Sequence, residues 1–355
     1  MLYRLRMTNN VGPEVADLNF GREVVAIPGP SIVPDRVLRA MHRSMPDIYT
    51  GDLVEVSDRI FAELPTLAGT TGEVFVTISN GHGGWQMAIA NTMARGDKVL
   101  VLESGRFAVI WGEMAEMSGV EVEVLPGVDD APIDPAAVQA RLAADTDHEI
   151  RAVLCVQTDT ATSVRNDIPA IRAAIDAAGH PALFMVDCIA SFGCEPYEMD
   201  RYGVDLTVAA SQKGLMVPPG LAFVWANDKA LAAHARSDIR VGYLDWTSRR
   251  EKEFHYQRYN GTPPVSHLYG LDEALDMIAE EGLAARWARH EAMAAAVWAA
   301  VDAWSTPDGI GLNIADPAHR STAVTTILTG SIDAEEIRHR CATVSYTHLT
   351  LPTKA

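Results

Sequence analysis

Seven apolar runs of strand length, several of them followed by segments of helical periodicity, constrain the fold of this chain more than any other feature. The runs lie at residues 74–78, 98–102, 120–125, 152–156, 183–186, 206–209 and 221–225. Helical periodicity is found at residues 84–94, 108–117, 135–143 and 168–178. Strands that are apolar almost throughout are typical of a sheet buried on both faces. The pattern therefore predicts an α/β fold with a mostly parallel seven-stranded sheet.

A second region begins near residue 266 and differs from the first in composition. Residues 268–304 are rich in alanine, leucine, glutamate and arginine at helical spacing, which predicts two long helices. Residues 324–328 are predicted to form a strand, and residues 333–340 a short helix. The predicted organisation is an N-terminal arm at 1–20, a large domain at 21–283, and an incomplete small C-terminal α+β domain at 284–343.

The last twelve residues, 344–355, are rich in threonine, whereas the preceding sequence is rich in alanine and arginine and poor in lysine. They resemble a peptide that arises when sequencing-adapter DNA is translated at the end of a gene fragment. We expect this tail to be non-native and leave it out of the fold prediction. A natural polar tail is the alternative.

Charge and cysteine content limit the partners and the compartment. The formal net charge of −18 argues against nucleic acid or an anionic membrane as a partner. No apolar run reaches the roughly 20 residues of a membrane span, and the first thirty residues lack a signal-peptide pattern. The cysteines lack metal-type spacing and are expected to be reduced thiols of a cytoplasmic protein. They are Cys155, Cys188, Cys194 and Cys341.

One lysine has the surroundings of a nucleophile. Lys213 lies among small and apolar residues in the segment 210–220, where burial would lower the pKa of its amine. A neutral amine condenses with an aldehyde to an imine, as the lysine of pyridoxal phosphate enzymes does. The other lysines lie in turns, at a helix start, in a charged stretch or in the tail, and they are Lys98, Lys229, Lys252 and Lys354. Lys213 is therefore the predicted catalytic lysine.

Asp187 follows the apolar run 183–186 and precedes Lys213 by twenty-six residues. Pyridoxal phosphate enzymes place an acid beside the pyridine nitrogen, which keeps that nitrogen protonated and makes the ring an electron sink. An aspartate that closes a strand also often caps a loop or a helix, and for Asp187 taken alone this alternative stays open.

A glycine-rich turn at residues 79–84 leads from a strand into a helix. Glycines let the backbone approach an anion, and the first N–H groups of a helix bind phosphate. Such a turn is more often a simple connection, and this one lacks the third glycine of the dinucleotide-binding fingerprint. Together with Asp187 and Lys213, it predicts a phosphate cup. Phe107 is a candidate to stack on the cofactor ring, and the alternative is that it is an ordinary core aromatic. His82 lies in the same turn, and the alternative for it is an ordinary surface histidine.

These segments resemble the class V aminotransferases, and more narrowly the alanine/serine–glyoxylate aminotransferase family. The core of the resemblance is Val-Asp-Cys-Ile-Ala-Ser-Phe-Gly at 186–193, Gly-Val-Asp at 203–205, Ser-Gln-Lys-Gly-Leu-Met at 211–216 and Pro-Pro-Gly-Leu at 218–221. Further matches are Ile-Pro-Gly-Pro at 27–30, Gly-Asp-Lys-Val-Leu at 96–100, Ala-Ala-Gly-His-Pro at 177–181, Tyr-Asn-Gly-Thr-Pro-Pro-Val at 259–265 and Leu-Tyr-Gly-Leu at 268–271. The resemblance covers residues 18–342 and implies fold type I of the pyridoxal phosphate-dependent transferases.

The resemblance also implies a role for each site residue. Lys213 would hold pyridoxal 5'-phosphate as an imine and carry a proton between the substrate α-carbon and the cofactor, while Asp187 would pair with the pyridine nitrogen. Phe107 takes the position of the ring-stacking aromatic, and Gly29 lines the substrate pocket. The residues implied in phosphate binding are Gly81, His82, Thr160 and Gln212, with Tyr259 and Thr262 reaching the phosphate of the neighbouring subunit. A homodimer with shared active sites follows from this arrangement.

The implied reaction is a ping-pong transfer of the amino group of serine or alanine to glyoxylate or another 2-oxo acid. The sequence departs from the family at Thr162-Ser163, where Thr-Gly is usual, and at Asn80, where a serine is common. No Arg-Ile-Gly-like segment with the substrate-carboxylate arginine is found, because the small domain is expected to be cut at about residue 343. Arg338 and Arg340 are expected on a solvated helix face. We therefore expect the 355-residue chain to transaminate poorly or not at all.

Several alternatives stay open. Within class V, the chain could be a ureidoglycine or pyridoxamine transaminase. A cysteine desulfurase would need a cysteine on a mobile loop, for which Cys341 is the candidate, but desulfurases usually place histidine where this chain has Gln212. A catalytically inactive member, or a nucleotide-binding α/β protein, would not need to keep both Asp187 and Lys213.

Overall fold

The structure is a computed structural model that describes residues 24–251, 253–307, 309–344 and 347–349. Its strands are β1 (Val24–Ala26), β2 (Glu73–Ser79), β3 (Lys98–Leu102), β4 (Glu121–Leu125), β5 (Ile150–Val156), β6 (Leu183–Asp187), β7 (Leu206–Ala210), β8 (Gly220–Ala226), β9 (Gly311–Leu312), β10 (Ile327–Leu328) and β11 (Thr347–Leu349). Its α-helices are α1 (Asp35–Met41), α2 (Asp52–Ala68), α3 (Gly81–Thr92), α4 (Arg106–Met117), α5 (Pro135–Ala143), α6 (Ile168–Ala177), α7 (Asp228–His234), α8 (Trp246–Glu251), α9 (Val265–Glu281), α10 (Leu283–Trp304) and α11 (Ala334–Val344).

Seven of these strands form one sheet in the order β2-β8-β7-β6-β5-β3-β4. Strand β8 runs antiparallel to both of its neighbours, and the other strands of the sheet run parallel to one another. The predicted α/β fold with a mostly parallel seven-stranded sheet is therefore confirmed. Each predicted apolar run coincides with one strand of this sheet to within about two residues, the usual uncertainty of element ends.

The sheet is buried on both faces. Along β3, Leu100 packs into the hydrophobic cluster on one face, while Val99 and Val101 pack into the cluster on the other. Strand β5 alternates in the same way, with Val153 on the first face and Leu154 on the second. Because both faces of the inner strands are covered, these strands have no polar side and appear in the sequence as continuous apolar runs. The edge strand β4 is only partly buried and alternates glutamate with valine.

The helical predictions are confirmed at α3 to α6, and the two long helices predicted in residues 268–304 are α9 and α10. The strand predicted at 324–328 is wrong in length, since only β10 pairs, antiparallel with β9. The preceding N–H groups are bound by side chains instead: those of Thr322 and Ala323 donate to Glu195, and that of Thr326 donates to Ser163. An extended segment held by side chains forms no ladder.

The predicted arm at residues 1–20 and residues 350–355 of the predicted tail lie outside the described residues. Within the tail, β11 pairs in parallel with β1. The domain boundaries and the non-native origin of the tail stay predictions. Cys155, Cys188 and Cys194 are free and buried, as expected of reduced thiols. Among the helices that the structure describes, none is long and apolar enough to cross a membrane.

Candidate active site

Most of the predicted site residues lie at one edge of the sheet, because the carboxyl ends of its parallel strands lie together there. This edge is where open α/β sheets bind ligands. The turn from Asn80 to His82 follows β2, Phe107 follows β3, Thr160 follows β5, Asp187 ends β6 and Lys213 follows β7. Residues that are up to 133 positions apart in the chain are thereby brought to one place.

Asp187 is a buried carboxylate held by two donors. Its Oδ2 accepts from the indole Nε1–H of Trp85 at 3.0 Å, and its Oδ1 accepts from the N–H of Ile189 at 2.5 Å. Burial nevertheless raises the pKa of Asp187 to about 7, against the lowering effect of both hydrogen bonds and of Lys213. A carboxylate in this state gains from a cationic N–H partner, since such a pair would stabilise its charged form.

Lys213 is a half-buried amine in the turn after β7. Its Nζ donates to the carbonyl of Pro28 at 2.6 Å. Burial lowers the pKa of this amine, and the carboxylate of Asp187 partly opposes that shift. A lysine with a lowered pKa holds more of the neutral, nucleophilic form at neutral pH.

Gly29, the predicted pocket residue, lies against Lys213, the predicted catalytic lysine. Its φ of +138° is rarely adopted by residues with a side chain, and an added Cβ would stand 2.3 Å from Nζ of Lys213. Only glycine therefore lets the segment at 27–31 approach the amine so closely.

The predicted phosphate cup is the N-terminus of α3. Asn80 caps this helix, accepting from the N–H of His82 at 3.1 Å. An added Cβ on Gly81 would stand 2.3 Å from Cδ1 of Ile189, so the backbone there packs directly on the loop after Asp187. The His82 side chain is exposed and its ring lies 4.7 Å from that of Trp85. Helix N-terminal N–H groups in such a position suit an anion.

Phe107 is placed by Asp159. Helix α4 has no cap from its own N-cap residue, Gly105. The carboxylate of Asp159 supplies one, accepting from the N–H of Phe107 at 2.8 Å and of Ala108 at 3.3 Å. The Phe107 ring then lies 6.4 Å from the ring of Trp85, which holds Asp187. The predicted stacking residue and the predicted acid thus share a neighbour.

Gln212 and Thr160 complete the predicted cofactor contacts within one chain. Among the described residues, Oε1 of Gln212 is buried and accepts no hydrogen bond. A buried polar atom without a partner is uncommon and is expected where a ligand or water is bound. Thr160 lines a cleft next to Phe107.

That cleft has a volume of ≈ 860 Å³ and lies between the sheet edge, α10, residues 322–329 and α11. Pro28, whose carbonyl accepts from Lys213, lines it as well. Its charged lining side chains among the described residues are two arginines, Arg106 and Arg338, with no carboxylate. Arg338 pairs with Glu335 at 2.8 Å and 36% of its side chain is exposed, so it lies on a partly solvated helix face that also borders the cleft. Arg340 is exposed and pairs with Glu336.

Tyr259 and Thr262 do not join this site within the chain. Tyr259 is fully buried and its hydroxyl donates to Ser57 at 2.9 Å. In this arrangement the hydroxyl does not face a neighbouring subunit. Thr262 is exposed and accessible to one. The shared phosphate contact stays a prediction, and the structure favours Thr262 over Tyr259 for it.

Three residues of the site are not found by the sequence reasoning. Trp85 orients Asp187, Asp159 caps the helix of Phe107, and Arg106 presents a guanidinium that makes no ion pair with another described residue at the cleft. Arg106 and Asp159 each directly precede a predicted site residue, which is the only local signal. Trp85 carries no such signal, because its hydrogen-bond partner Asp187 lies 102 residues further along the chain.

The family model of the class V aminotransferases matches residues 67–345. The chain belongs to this family. It is therefore an aminotransferase, and the predictions of family and enzyme class are confirmed.

Named relatives narrow the comparison. The chain is 40% identical to a serine–glyoxylate aminotransferase of Methylorubrum extorquens over 89% of its own length and 79% of the relative. It is 39% identical to an L-aspartate–glyoxylate aminotransferase of Paracoccus denitrificans, over 79% of its own length and 71% of the relative. The crystal structure of ureidoglycine–glyoxylate aminotransferase from Bacillus subtilis matches with a TM-score of 0.82 at 25% identity, covering 93% of this chain and 84% of that one.

Proposed function

We propose that this aminotransferase uses pyridoxal 5'-phosphate to transfer the amino group of a small amino acid, serine or alanine, to glyoxylate. The observation that carries the proposal is that a half-buried lysine of lowered pKa and a buried carboxylate lie at the same sheet edge and each affects the pKa of the other. The three relatives and neighbours named above have different amino donors in their names, but all of them have glyoxylate. The names therefore agree on glyoxylate and differ in the amino donor.

The residues present fit this cofactor. Gln212 has a buried side-chain oxygen without a partner in the described structure, and the N-terminus of α3 offers N–H groups to a phosphate. Asp187 would hold the pyridine nitrogen, and Phe107 the ring. When bound, pyridoxal phosphate supplies an aldehyde that reacts with amines and a ring that withdraws electrons from the substrate α-carbon.

The side chains of the protein supply proton transfer, charge and orientation. The Lys213 amine, kept largely unsolvated, takes up a proton from the substrate α-carbon and returns it. Asp187, oriented by Trp85, supplies the negative charge that holds a protonated ring nitrogen. Asp159 keeps Phe107 in place. Arg106, at the cleft, attracts the carboxylate of the amino or oxo acid.

We further infer that the enzyme is a cytoplasmic homodimer whose subunits share active sites. The free, buried cysteines support a reducing compartment. The exposed Thr262, at the position where the family resemblance implies a contact with the neighbour's phosphate, supports the shared site.

The deciding experiment is the absorption spectrum of the purified chain with pyridoxal phosphate, before and after borohydride, compared with Lys213→Ala. We expect a band at the visible edge that reduction fixes covalently to Lys213 and that the variant lacks. Lys229→Ala is the matched control, since Lys229 is engaged by Asp205 and Ala182 away from the site. Covalent fixation at another lysine would overturn the assignment. Serine, alanine and aspartate are then compared as donors with glyoxylate.

A further inference from the structure

A buried arginine from the long helix α10 reaches the loop that carries Lys213. Arg286 is 2% exposed. Its Nε donates to the carbonyl of Gly193 at 2.7 Å, and its Nη2 donates to the carbonyl of Gly214, the residue after the lysine. Its Nη1 lies 3.7 Å from the sulfur of Met216. Three of the guanidinium nitrogens therefore contact the loops at 193 and 214–216.

The carbonyls on both sides of the lysine are thereby bound. Ser31 takes two of them, donating its N–H to the carbonyl of Gln212 at 2.8 Å and its hydroxyl to that of Lys213 at 2.9 Å. Arg286 takes the third, at Gly214. The loop therefore lies between the 27–31 segment on one side and α10 on the other.

The loop is closely packed around Gly214, so its backbone position depends on the groups that contact it. An added Cβ on Gly214 would stand 2.2 Å from the carbonyl oxygen of Phe192 and 2.8 Å from the sulfur of Cys194. Removal of the Arg286 guanidinium would leave the carbonyls of Gly193 and Gly214 buried without their donor. Such unpaired groups are costly, so the loop would move toward other donors or water.

Among the described residues, Arg286 makes one ion pair, and it is a long one. Glu281 lies 3.6 Å from Nη1 and is bound more closely by Arg289. A buried guanidinium that donates mainly to backbone carbonyls fixes the position of the loop that carries them. We propose that Arg286 is a positioning residue that holds the Lys213 amine in place by fixing the backbone of the lysine loop to α10.

One consequence is a direct link between the catalytic amine and the substrate cleft. The same helix lines the cleft one and two turns further on, with His290 and Ala294. The carbonyl of Arg286 is also bound to Nδ1 of His290 at 2.9 Å. A displacement of α10 would therefore move both the cleft wall and the lysine loop.

The test compares Arg286→Met with Arg289→Met in the full chain without cofactor. Both variants remove one positive charge from α10 beside Glu281, but Arg289 makes no contact with the lysine loop. The measurement is the rate of reductive methylation of Lys213 as a function of pH, resolved by mass spectrometry, with Lys229 as the internal reference. The groups facing Lys213 are the Pro28 carbonyl and Asp187, and those facing Arg286 are Cys194, Glu281 and the guanidinium of Arg289.

In Arg286→Met the Lys213 amine is expected to become more solvated, so the midpoint of its labelling profile rises by about one pH unit. At a pH below the midpoint, Lys213 is then labelled about 10-fold more slowly than in the wild type. Arg289→Met is expected to keep the wild-type midpoint. Ser31→Ala, which removes one donor to the same loop, is expected to shift the midpoint in the same direction as Arg286→Met. A residue that only stabilises the fold would lower the melting temperature and leave the midpoint unchanged.

An unchanged midpoint in folded Arg286→Met would overturn the proposal. If that variant does not fold, Arg286→Lys decides the question. An ammonium keeps the charge but lacks the planar guanidinium that spans two carbonyls, so we expect a smaller upward shift of the Lys213 labelling midpoint. An unshifted midpoint in Arg286→Lys would overturn the proposal. The inference rests on the proposed role of Lys213. Because the labelling is done without cofactor, its outcome is separable from that of the borohydride experiment.

Discussion

At the scale of single residues, the site depends on how burial acts on opposite charges. Burial raises the pKa of Asp187 and lowers that of Lys213, so it disfavours the charged form of both. Their mutual attraction works against burial in each case. A bound cofactor with a cationic ring nitrogen would add a second opposite charge beside Asp187, and the apo-protein is expected to be the less stable form.

Asp187→Asn is expected to change the pH dependence of apo-protein stability. The pKa of about 7 in the folded state lies above that of the unfolded chain, so the folded state binds more protons between these values. The free energy of unfolding therefore falls as pH rises from about 4 to about 7. The asparagine variant lacks this slope and is expected to be more stable than the wild type at pH 8 by about 1–3 kcal/mol.

Urea unfolding between pH 5 and pH 8 measures this difference. Asp205→Asn is the contrasting variant, because Asp205 is a buried carboxylate that accepts from Lys229 at 3.0 Å and from the N–H of Phe184. Its loss is expected to destabilise the chain. An Asp187→Asn variant less stable than the wild type at pH 8 would contradict the expectation. The same variant is expected to lose most of its activity, so stability and function oppose each other at this residue.

Arg106→Gln is expected to raise the KM for glyoxylate about 3-fold to 10-fold with a smaller effect on kcat, because a guanidinium at the cleft that has no ion-pair partner among the described residues attracts an anionic substrate. The dependence of kcat/KM on ionic strength is expected to weaken as well. Arg338→Gln is the control at the same cleft, since its charge is already paired with Glu335. Steady-state kinetics at low and high salt make the comparison, and equal effects of the two substitutions would refute it.

At the scale of secondary-structure elements, α4 begins without a cap of its own and depends on the loop after β5. Gly105 has a φ of +152° and an added Cβ there would stand 2.4 Å from the carboxyl carbon of Asp159. The absence of a side chain at 105 therefore makes room for a cap from elsewhere. The start of α4, and with it Phe107, is set by a residue from a different βα unit.

Asp159→Ala is expected to destabilise the chain by about 1–2 kcal/mol and to weaken cofactor binding at least about 10-fold, because both the cap and the position of Phe107 are lost. Asp134→Ala is the matched control, since Asp134 caps α5 by accepting from the N–H of Ala136 at 2.9 Å on the surface. Asp134→Ala is expected to lower the free energy of unfolding by about 1 kcal/mol and to leave cofactor binding unchanged. Urea unfolding and cofactor titration measure the two effects separately.

The seven strands were predictable because their burial on both faces leaves a local signature, a continuous apolar run. Helix α2 also has a local signature that the strand–helix alternation leaves unassigned. Its buried residues Leu53, Val56, Ile60 and Leu64 recur at helical spacing. On its charged face, Arg59 forms salt bridges with Asp272 and Asp276 of α9. The pairing itself has no local signature.

At the scale of the whole molecule, the buried Glu195 joins the segment at 321–323 of the cleft wall to the loop after β5. Glu195 is 1% exposed and accepts from the hydroxyl of Ser321 and the N–H groups of Thr322 and Ala323. Its other oxygen accepts from Thr158, beside Asp159. The segment that faces the sheet edge across the cleft is thus fixed to the loop that caps α4.

Glu195→Gln is expected to loosen this wall, because a neutral amide is a weaker acceptor for the same donors. Amide hydrogen exchange at Thr322 and Ala323 is expected to quicken at least about 10-fold, equivalent to about 1.4 kcal/mol. Glu198→Gln is the control, since its carboxylate pairs with Arg201 at the surface. Exchange that is unchanged in Glu195→Gln, or equally raised in both variants, would show that the segment is held by other contacts.

The amino-acid sequence by itself determined the strands of the sheet and the order of the elements along the chain, and it made Lys213 and Asp187 the candidate site residues, because burial patterns and residue chemistry are local properties of the chain. Tertiary structure alone decided what holds those groups. Trp85 and Asp187 are 102 residues apart, Phe107 and Asp159 are 52, and Gly214 and Arg286 are 72. Hydrogen-bond partners at such separations are chosen by how elements pack, and no local pattern encodes that choice.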